Sequence, residues 1–261
     1  AAKATLQMSA AAGPEFGVAN SAALAADALN MFGLEGKDAA KVADLLVGAA
    51  NASSIGLGDL KFGLSAVGSV ANTVGLSIDD TATALAVFGA AGLKGSDAGT
   101  SFKTMLTRLN PQTKEATEMM QSVGLWTAQA GSAFFDAEGK MKPLNEIANL
   151  LADSLGGLSK EEQLTAINTM FGSDALRAAS ILMTEGKPGV DAMAGAIAKQ
   201  GDAARVAGEM TNNLSGKWGA LTGTIDTLKI KLGEALLPVA EKVVGILNQQ
   251  VSGFLTWLGT P

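Results

Sequence analysis

The sequence predicts an all-α protein: a multi-helix, Gly/Ala-rich domain of helix-turn-helix units over residues 1–213, with at most one small β-hairpin. A long, kinked amphipathic or coiled-coil helix follows over residues 214–261. Three observations lead there. Apolar residues recur at spacings of three and four, with little of the alternation that marks a half-buried strand. Glycine, at 32 of 261 residues, punctuates these runs where helices end. Two runs are preceded by Ser with an acid three residues on, the signature of a helix start. Apolar residues make up 48% of the chain but aromatics only 5%, and Tyr is absent. Such small residues let helices approach closely while each buried side chain contributes less.

Residues 17–33 set Val18, Ala22, Leu24, Ala25, Leu29 and Phe32 at helical spacing, and Gly33 ends the run. A second helix, 37–51, carries Val42, Leu45, Leu46 and Ala49 on one face, with Asn51 at its exit. Asp59 is positioned to cap a third, whose apolar row is Leu60, Leu64, Val67, Val70 and Val74, closed by Gly75. Ser77 with Asp80, and Ser159 with Glu162, have capping-box spacing, in which hydroxyl and carboxylate each satisfy an orphan backbone donor. Pro143 suits the first turn of a helix beginning "PLNEIANLLADSL". In "AFFDAEGKMKPL", Asp136 followed by Gly139 is hairpin-turn chemistry, so any strands are expected between Ala133 and Lys142. A weak repeat links "ALNMFGLEGKDA", "ALAVFGAAGLKGSDA" and "TMFGSDA", each read as a helix stopped at Phe-Gly and restarted by a polar cap. The unequal spacings, from Phe32 to Phe88 and from Phe88 to Phe171, argue against a regular solenoid.

From Leu214 the pattern sharpens. Leu214, Trp218, Leu221, Ile225, Leu228 and Leu232 step by four and three, a heptad seam for self-association or for packing on the preceding domain. The pattern stutters at "EALLPVAEK", where Pro238 is expected to kink the helix, and resumes from Leu236 to Leu258.

The composition closes off several chemistries. With no Cys and no His, disulfides, N/S zinc sites, thiol nucleophiles and imidazole bases are excluded. The net charge of −6, without a basic stripe, is the wrong sign for nucleic-acid capture. The first residue is not Met and no targeting signal follows, so the chain reads as an internal fragment or a processed product. The most apolar stretch, Val239 to Leu258, is broken by Glu241, Lys242, Asn248, Gln249 and Gln250, and a membrane span is not expected.

The remaining chemical candidates have plainer readings. "GPEFG", "GLGDLKFG" and "GLKGSDAG" lack the spacing of a phosphate loop; the last reads as a turn with Ser96 as cap. Asp79/Asp80 and Glu161/Glu162 lie in first helical turns, where the helix dipole accounts for them. Asp136 and Glu138 offer too few ligands for a calcium loop. Ser159–Lys160 and Ser215–Lys217 sit on polar helix starts, unlike the buried lysine of a serine–lysine hydrolase. Met31, Met105, Met119, Met120, Met170 and Met183 read as core gap-fillers rather than a binding groove. Trp126, Trp218 and Trp257 are scattered, one per region, and read as packed between helices. No catalytic, cofactor or metal residue is assigned.

The segments "ALNMFGLEGKDAAKVADLLVGAANAS" and "GLSIDDTATALAVFGAAGLKGSDAGTSFKTMLTRL" resemble the core region of phage tail tape-measure proteins. So do "FFDAEGKMKPLNEIANLLADSLGGLSKEEQLTAINTMFGSDALRAASIL" and "LSGKWGALTGTIDTLKIKLGEALLPV". The four follow the family's order, and "GLKGSDAGTSFKTMLTRL" and "MFGSDALRAA" are the most specific. The resemblance implies a virion protein, made in the host cytoplasm, that occupies the tail-tube lumen, sets tail length and leaves ahead of the DNA at infection. It implies contacts with tail tube and tail tip proteins and tail assembly chaperones, a trimer on the tube axis, and contact with the host envelope. It implies no enzyme and no cofactor. The competing reading, from the Ala/Gly richness and the amphipathic end, is a membrane-active helical effector.

Overall fold

A computed structural model describes residues 2–212 apart from residues 14, 54, 201 and 202. Its centre is helix α5, Ile78–Ala90, on which Ile78 and every residue from Thr81 to Gly89 are buried. A helix that is apolar or small all round has to be enclosed by others. Here α3 (Ala39–Ser53), α4 (Leu57–Thr73), α6 (Gly95–Arg108), α8 (Leu144–Leu155) and α10 (Leu176–Gln200) all pack against it or against one another. The hydroxyls of Thr81 and Thr83 donate back to the carbonyls of Ser77 and Asp79, so polar groups inside α5 enter the core satisfied.

Around this centre, α1 (Ala2–Ala12) lies on α2 (Gly17–Met31) and α3, burying Met8. The sequence reading assigned nothing to those first residues. Helices α7 (Lys114–Ser122) and α9 (Lys160–Phe171) pair with each other, and α11 covers Ala203–Asn212. Helix α10 is interrupted at Gly186 (φ 56°), with Pro188 two residues on. The elements up to Met210 belong to one unit. The expected boundary at residues 213–214 and the whole amphipathic segment, including Pro238, lie outside the described residues.

The expected all-α class holds. Among the described residues the one sheet is a pair of two-residue strands, β1 (Trp126–Thr127) and β2 (Gly131–Ser132), antiparallel. It lies just ahead of the predicted segment 133–142. That segment forms a hairpin turn with a single bridge, Phe135 to Met141, and Gly139 takes φ 78° within it. Asp136 Oδ1 accepts from the backbone N–H groups of Glu138 and Lys140 at 3.2 and 2.7 Å, so its carboxylate builds the turn.

Helix starts follow the capping logic with corrections. Ser159 and Glu162 form the full reciprocal box, at 3.3 Å to the Glu162 N–H and 2.8 Å from the Ser159 N–H. Ser77 caps α5 through the Asp80 N–H at 3.0 Å, but the Asp80 carboxylate accepts from the Ser77 hydroxyl rather than from its backbone. Asp59 is not the cap of α4. Gly56 holds that place, and Asp59, three residues inside, accepts from its N–H at 3.3 Å. Lys94, not Ser96, stands at the cap of α6, and Pro143 at the cap of α8 rather than in its first turn.

Helix ends carry the largest correction. Phe32-Gly33 and Phe171-Gly172 do join helices, but Phe88 and Gly89 are still inside α5. What recurs is Gly-Leu. At Gly33-Leu34, Gly75-Leu76, Gly92-Leu93 and Gly124-Leu125 the glycine has φ between 63° and 85°. The leucine N–H reaches back five residues, to the carbonyls of Leu29, Ala71, Phe88 and Met120, at 2.8–2.9 Å. The glycine N–H bonds the residue three before it. These are Schellman ends, in which Gly supplies the left-handed position and the next leucine folds onto the core. Phe88-Gly89 matches Phe32-Gly33 in letters, but α5 runs on past it and ends at Gly92-Leu93.

Candidate functional site

The concave surface gathers around the N-terminus of α5. A cleft of 370 Å³ is lined by Ser77 and Asp80 of α5, Asp136, Lys140 and Lys142 of the hairpin, and Pro143 and Glu146 at the start of α8. The Lys140 stem lies along Gly75, 3.5 Å from where a methyl group there would sit. Gly75, Leu76 and Ser77 are shared with a second, more apolar cleft of 290 Å³, floored by Phe32, Leu34, Val42, Leu45 and Ile78. Lys41, Leu45 and Asp79 join that one to a third of 260 Å³, which ends on Ala194, Ile197 and Ala198 of α10. The Lys41–Asp79 ion pair, at 3.0 Å and exposed, stands where the second and third meet. Elsewhere, a separate groove of 350 Å³ runs between α7 and α9.

Asp80 is the most perturbed group of the first cleft. Burial raises its pKa; the hydrogen bonds from the Ser77 hydroxyl and the Leu144 backbone N–H oppose that rise, and the neighbouring Asp79 charge adds to it. The carboxylate thus bonds the hydroxyl that caps its own helix and also meets the first N–H of α8. That ties α5 to α8 and accounts for the Ser77–Asp80 contact without catalysis. Lys140 and Lys142 form no ion pair among the described residues, so the cleft presents charges of both signs to solvent.

Other helix ends are held by side chains from distant parts of the chain. Ser101 Oγ accepts from the Ala178 N–H of α10 at 3.2 Å, and Asp44 Oδ1 from the Ala203 N–H opening α11 at 3.0 Å. Arg108 donates to the Phe171 carbonyl at the end of α9, at 2.8 Å. Ser132 donates to Leu109 at 2.6 Å, and Gln163 to Leu155 and Leu158 at 3.0 and 3.2 Å. Sequence reasoning found none of these, because donor and acceptor are mostly far apart in the chain.

The sequence candidates distribute as follows. The proposed seam, Leu214, Trp218, Leu221, Ile225, Leu228 and Leu232, lies outside the described residues, as do Ser215–Lys217, Trp218 and Trp257. Met105, Met120 and Met170 are buried core residues, and Met31, Met119 and Met183 pack on the core from its edge. Trp126 begins β1, half-buried against the same core. Asp79/Asp80 and Glu161/Glu162 occupy first turns of α5 and α9. Lys160 donates to Gln163, and among the described residues no cluster of three acids is placed to hold a metal ion.

These surfaces are open clefts on a helical body, with no cluster of acids placed to hold a metal ion among the described residues. The family model described as phage-related minor tail protein matches residues 1–172. The chain belongs to the phage-related minor tail protein family. The likeness to tape-measure proteins read from the sequence is also borne out. The chain is 31% identical over 239 residues to the tape measure protein of Pneumococcus phage Dp-1, covering 91% of this chain and 20% of that protein. It is 27% identical over 211 residues to the probable tape measure protein of Escherichia phage P2, covering 79% of this chain and 25% of that one. The probable tape measure protein of Halomonas phage phiHAP-1 is 26% identical over 217 residues, 80% of this chain and 24% of that relative. The chain thus spans between a fifth and a quarter of the length of these relatives. No solved structure matches it.

Proposed function

We propose that this minor tail segment is part of a tape measure: a structural protein of the virion tail that lies in the tube lumen, sets tail length during assembly and leaves ahead of the DNA. The carrying observation is the likeness to relatives named tape measure or probable tape measure protein, extending over 79–91% of this chain. Physics supplies the mechanism. An α-helix rises about 1.5 Å per residue, so residue number converts into length. A compact globule the size of the first unit, about 210 residues, has a radius of gyration of about 17 Å, a tight fit in a narrow tube. The body described above is then a pre-assembly form, and the in-tube form is extended. Its partners are the tail tube and tip proteins, assembly chaperones and two further copies of itself, with host envelope contact at infection. It works as a structural part with no enzymatic turnover.

In-frame duplication of residues 37–212 in the parent gene tests this, with tails measured by electron microscopy. If that segment is helical along the tube, tails lengthen by roughly 260 Å. Tails of unchanged length would overturn the length-setting role. The membrane-active alternative gains no support: among the described residues no helix is long and apolar enough to cross a membrane.

A further inference from the structure

We infer that the groove between α7 and α9 is a docking site for a basic amphipathic helix of another protein. Its floor is apolar, formed by Met119 and Val123 from α7, with Leu158 and Ala166 facing them. The unbranched, polarizable Met119 side chain can adapt to more than one anchor. That combination, an apolar trough between two paired helices, receives a third helix through residues spaced three and four apart. Helix α7 is nine residues long, so the trough accepts about two to three turns of such a helix.

The sign of the partner comes from the walls. Glu161 and Glu162 line the groove, and Glu115 stands one turn before Met119 on the same side of α7. Glu115 and Glu161 make no hydrogen bond or ion pair among the described residues, and both are exposed. Glu162 is held below the ordinary carboxylate range by the Ser159 hydroxyl and the Ser159 N–H, so its charge persists. The nearby cations are engaged: Lys114 pairs with Glu118 at 3.4 Å, and Lys160 donates to Gln163 at 3.1 Å. Carboxylates left unpaired beside an exposed apolar floor fit lysines or arginines flanking an apolar stripe. The docking does not depend on the chain lying in a tube lumen.

The test is fluorescence anisotropy on the full chain with two labelled peptides of about four turns. Both carry leucines at i, i+3, i+4 and i+7; one has lysine flanks and the other glutamate flanks. The lysine peptide is expected to bind and to weaken with added salt. The double change Glu115→Gln, Glu161→Gln is expected to loosen it about tenfold, threefold for each exposed charge pair. Met119→Glu is expected to loosen it as well. Glu138→Gln, on the hairpin and away from the groove, is expected to leave it unchanged. Equal binding of both peptides would overturn the assignment, as would equal weakening by Glu138→Gln. A photo-crosslinker at position 119 that captures another part of the same chain, rather than the peptide, would show that this chain fills its own groove, and the inference would fail. Thermal melts of each variant separate lost docking from lost folding.

Discussion

Asp80 and Glu162 occupy the same position of the same Ser-x-x-acid motif, three residues after a capping serine, yet their carboxyls shift in opposite directions. Glu162 is fully exposed and collects the Ser159 hydroxyl and N–H, so its pKa falls. Asp80 is pushed up by burial despite its two hydrogen bonds. The linkage signs therefore differ. A depressed carboxyl contributes stability that is present above its unfolded pKa and is lost as pH falls through the folded value. A raised carboxyl binds its proton more tightly when folded, so its contribution is greatest below the unfolded pKa and declines as pH rises through the folded one. Asp80→Asn is accordingly expected to gain Tm relative to the unaltered protein as pH rises from the ordinary aspartate value upward. Glu162→Gln is expected to lose ground as pH rises from below the ordinary carboxylate value up through it. Melts followed by circular dichroism check both, and a pH-independent difference for Asp80→Asn would contradict its burial. The capping hydroxyls are a separate matter: Ser77→Ala and Ser159→Ala are each expected to cost about 0.5–2 kcal/mol in denaturant unfolding. The motif was legible in the sequence. Which acid would be buried was not, because that depends on a hairpin and a helix more than fifty residues downstream.

At the scale of elements, local chemistry was readable and tertiary chemistry was not. Helices α2 to α5 and the Ser159 start stand close to where periodicity and caps put them, since those signals live within a few residues. The periodicity places helix ends at Gly33 and Gly75 but misses those at Gly92 and Gly124, although "GL" stands at each of the four and the backbone needs the glycine there. The strands at Trp126–Thr127 and Gly131–Ser132 are too short to show any alternation. The close pairing of α4 with α6 was likewise hidden in a glycine-rich string. A methyl group on Gly99 would fall on the Gly63 carbonyl oxygen and 2.7 Å from the Ala66 methyl. One on Gly92 would meet nothing within 4 Å, but φ there is +84°. Two different costs follow. Gly99→Ala is expected to destabilise by about 1–3 kcal/mol through overpacking, and Gly92→Ala by about 1–2 kcal/mol through the left-handed backbone alone. The two are separable by pairing each with Ala66→Gly: relief of crowding rescues Gly99→Ala in part and leaves Gly92→Ala unmoved. Identical behaviour of the two pairs in urea melts would refute the close-approach account.

For the whole molecule, the residues up to Met210 form a unit whose core side chains find their partners among its own helices. Leu214, Trp218, Leu221, Ile225, Leu228 and Leu232 form the most regular four-three stripe in the chain, and a lone helix carrying it leaves that stripe in water. Burying six such side chains is worth on the order of 1.5–3 kcal/mol each before ordering costs, so the segment has a strong drive to associate. We propose that it does so with copies of itself, three in the assembled tail, with Lys217, Lys229 and Lys231 outside the seam. A seam differs from general stickiness in its register. Leu221→Asp with Leu228→Asp places charges at two successive seam layers and is expected to abolish self-association of a peptide covering residues 214–258. Lys217→Asp with Lys229→Asp, off the seam, is expected to leave the oligomer in place. Analytical ultracentrifugation of the three peptides reads the outcome directly. If the unaltered peptide sediments as a monomer at high concentration, the seam does not self-associate, and the apolar stripe must be satisfied by a different partner.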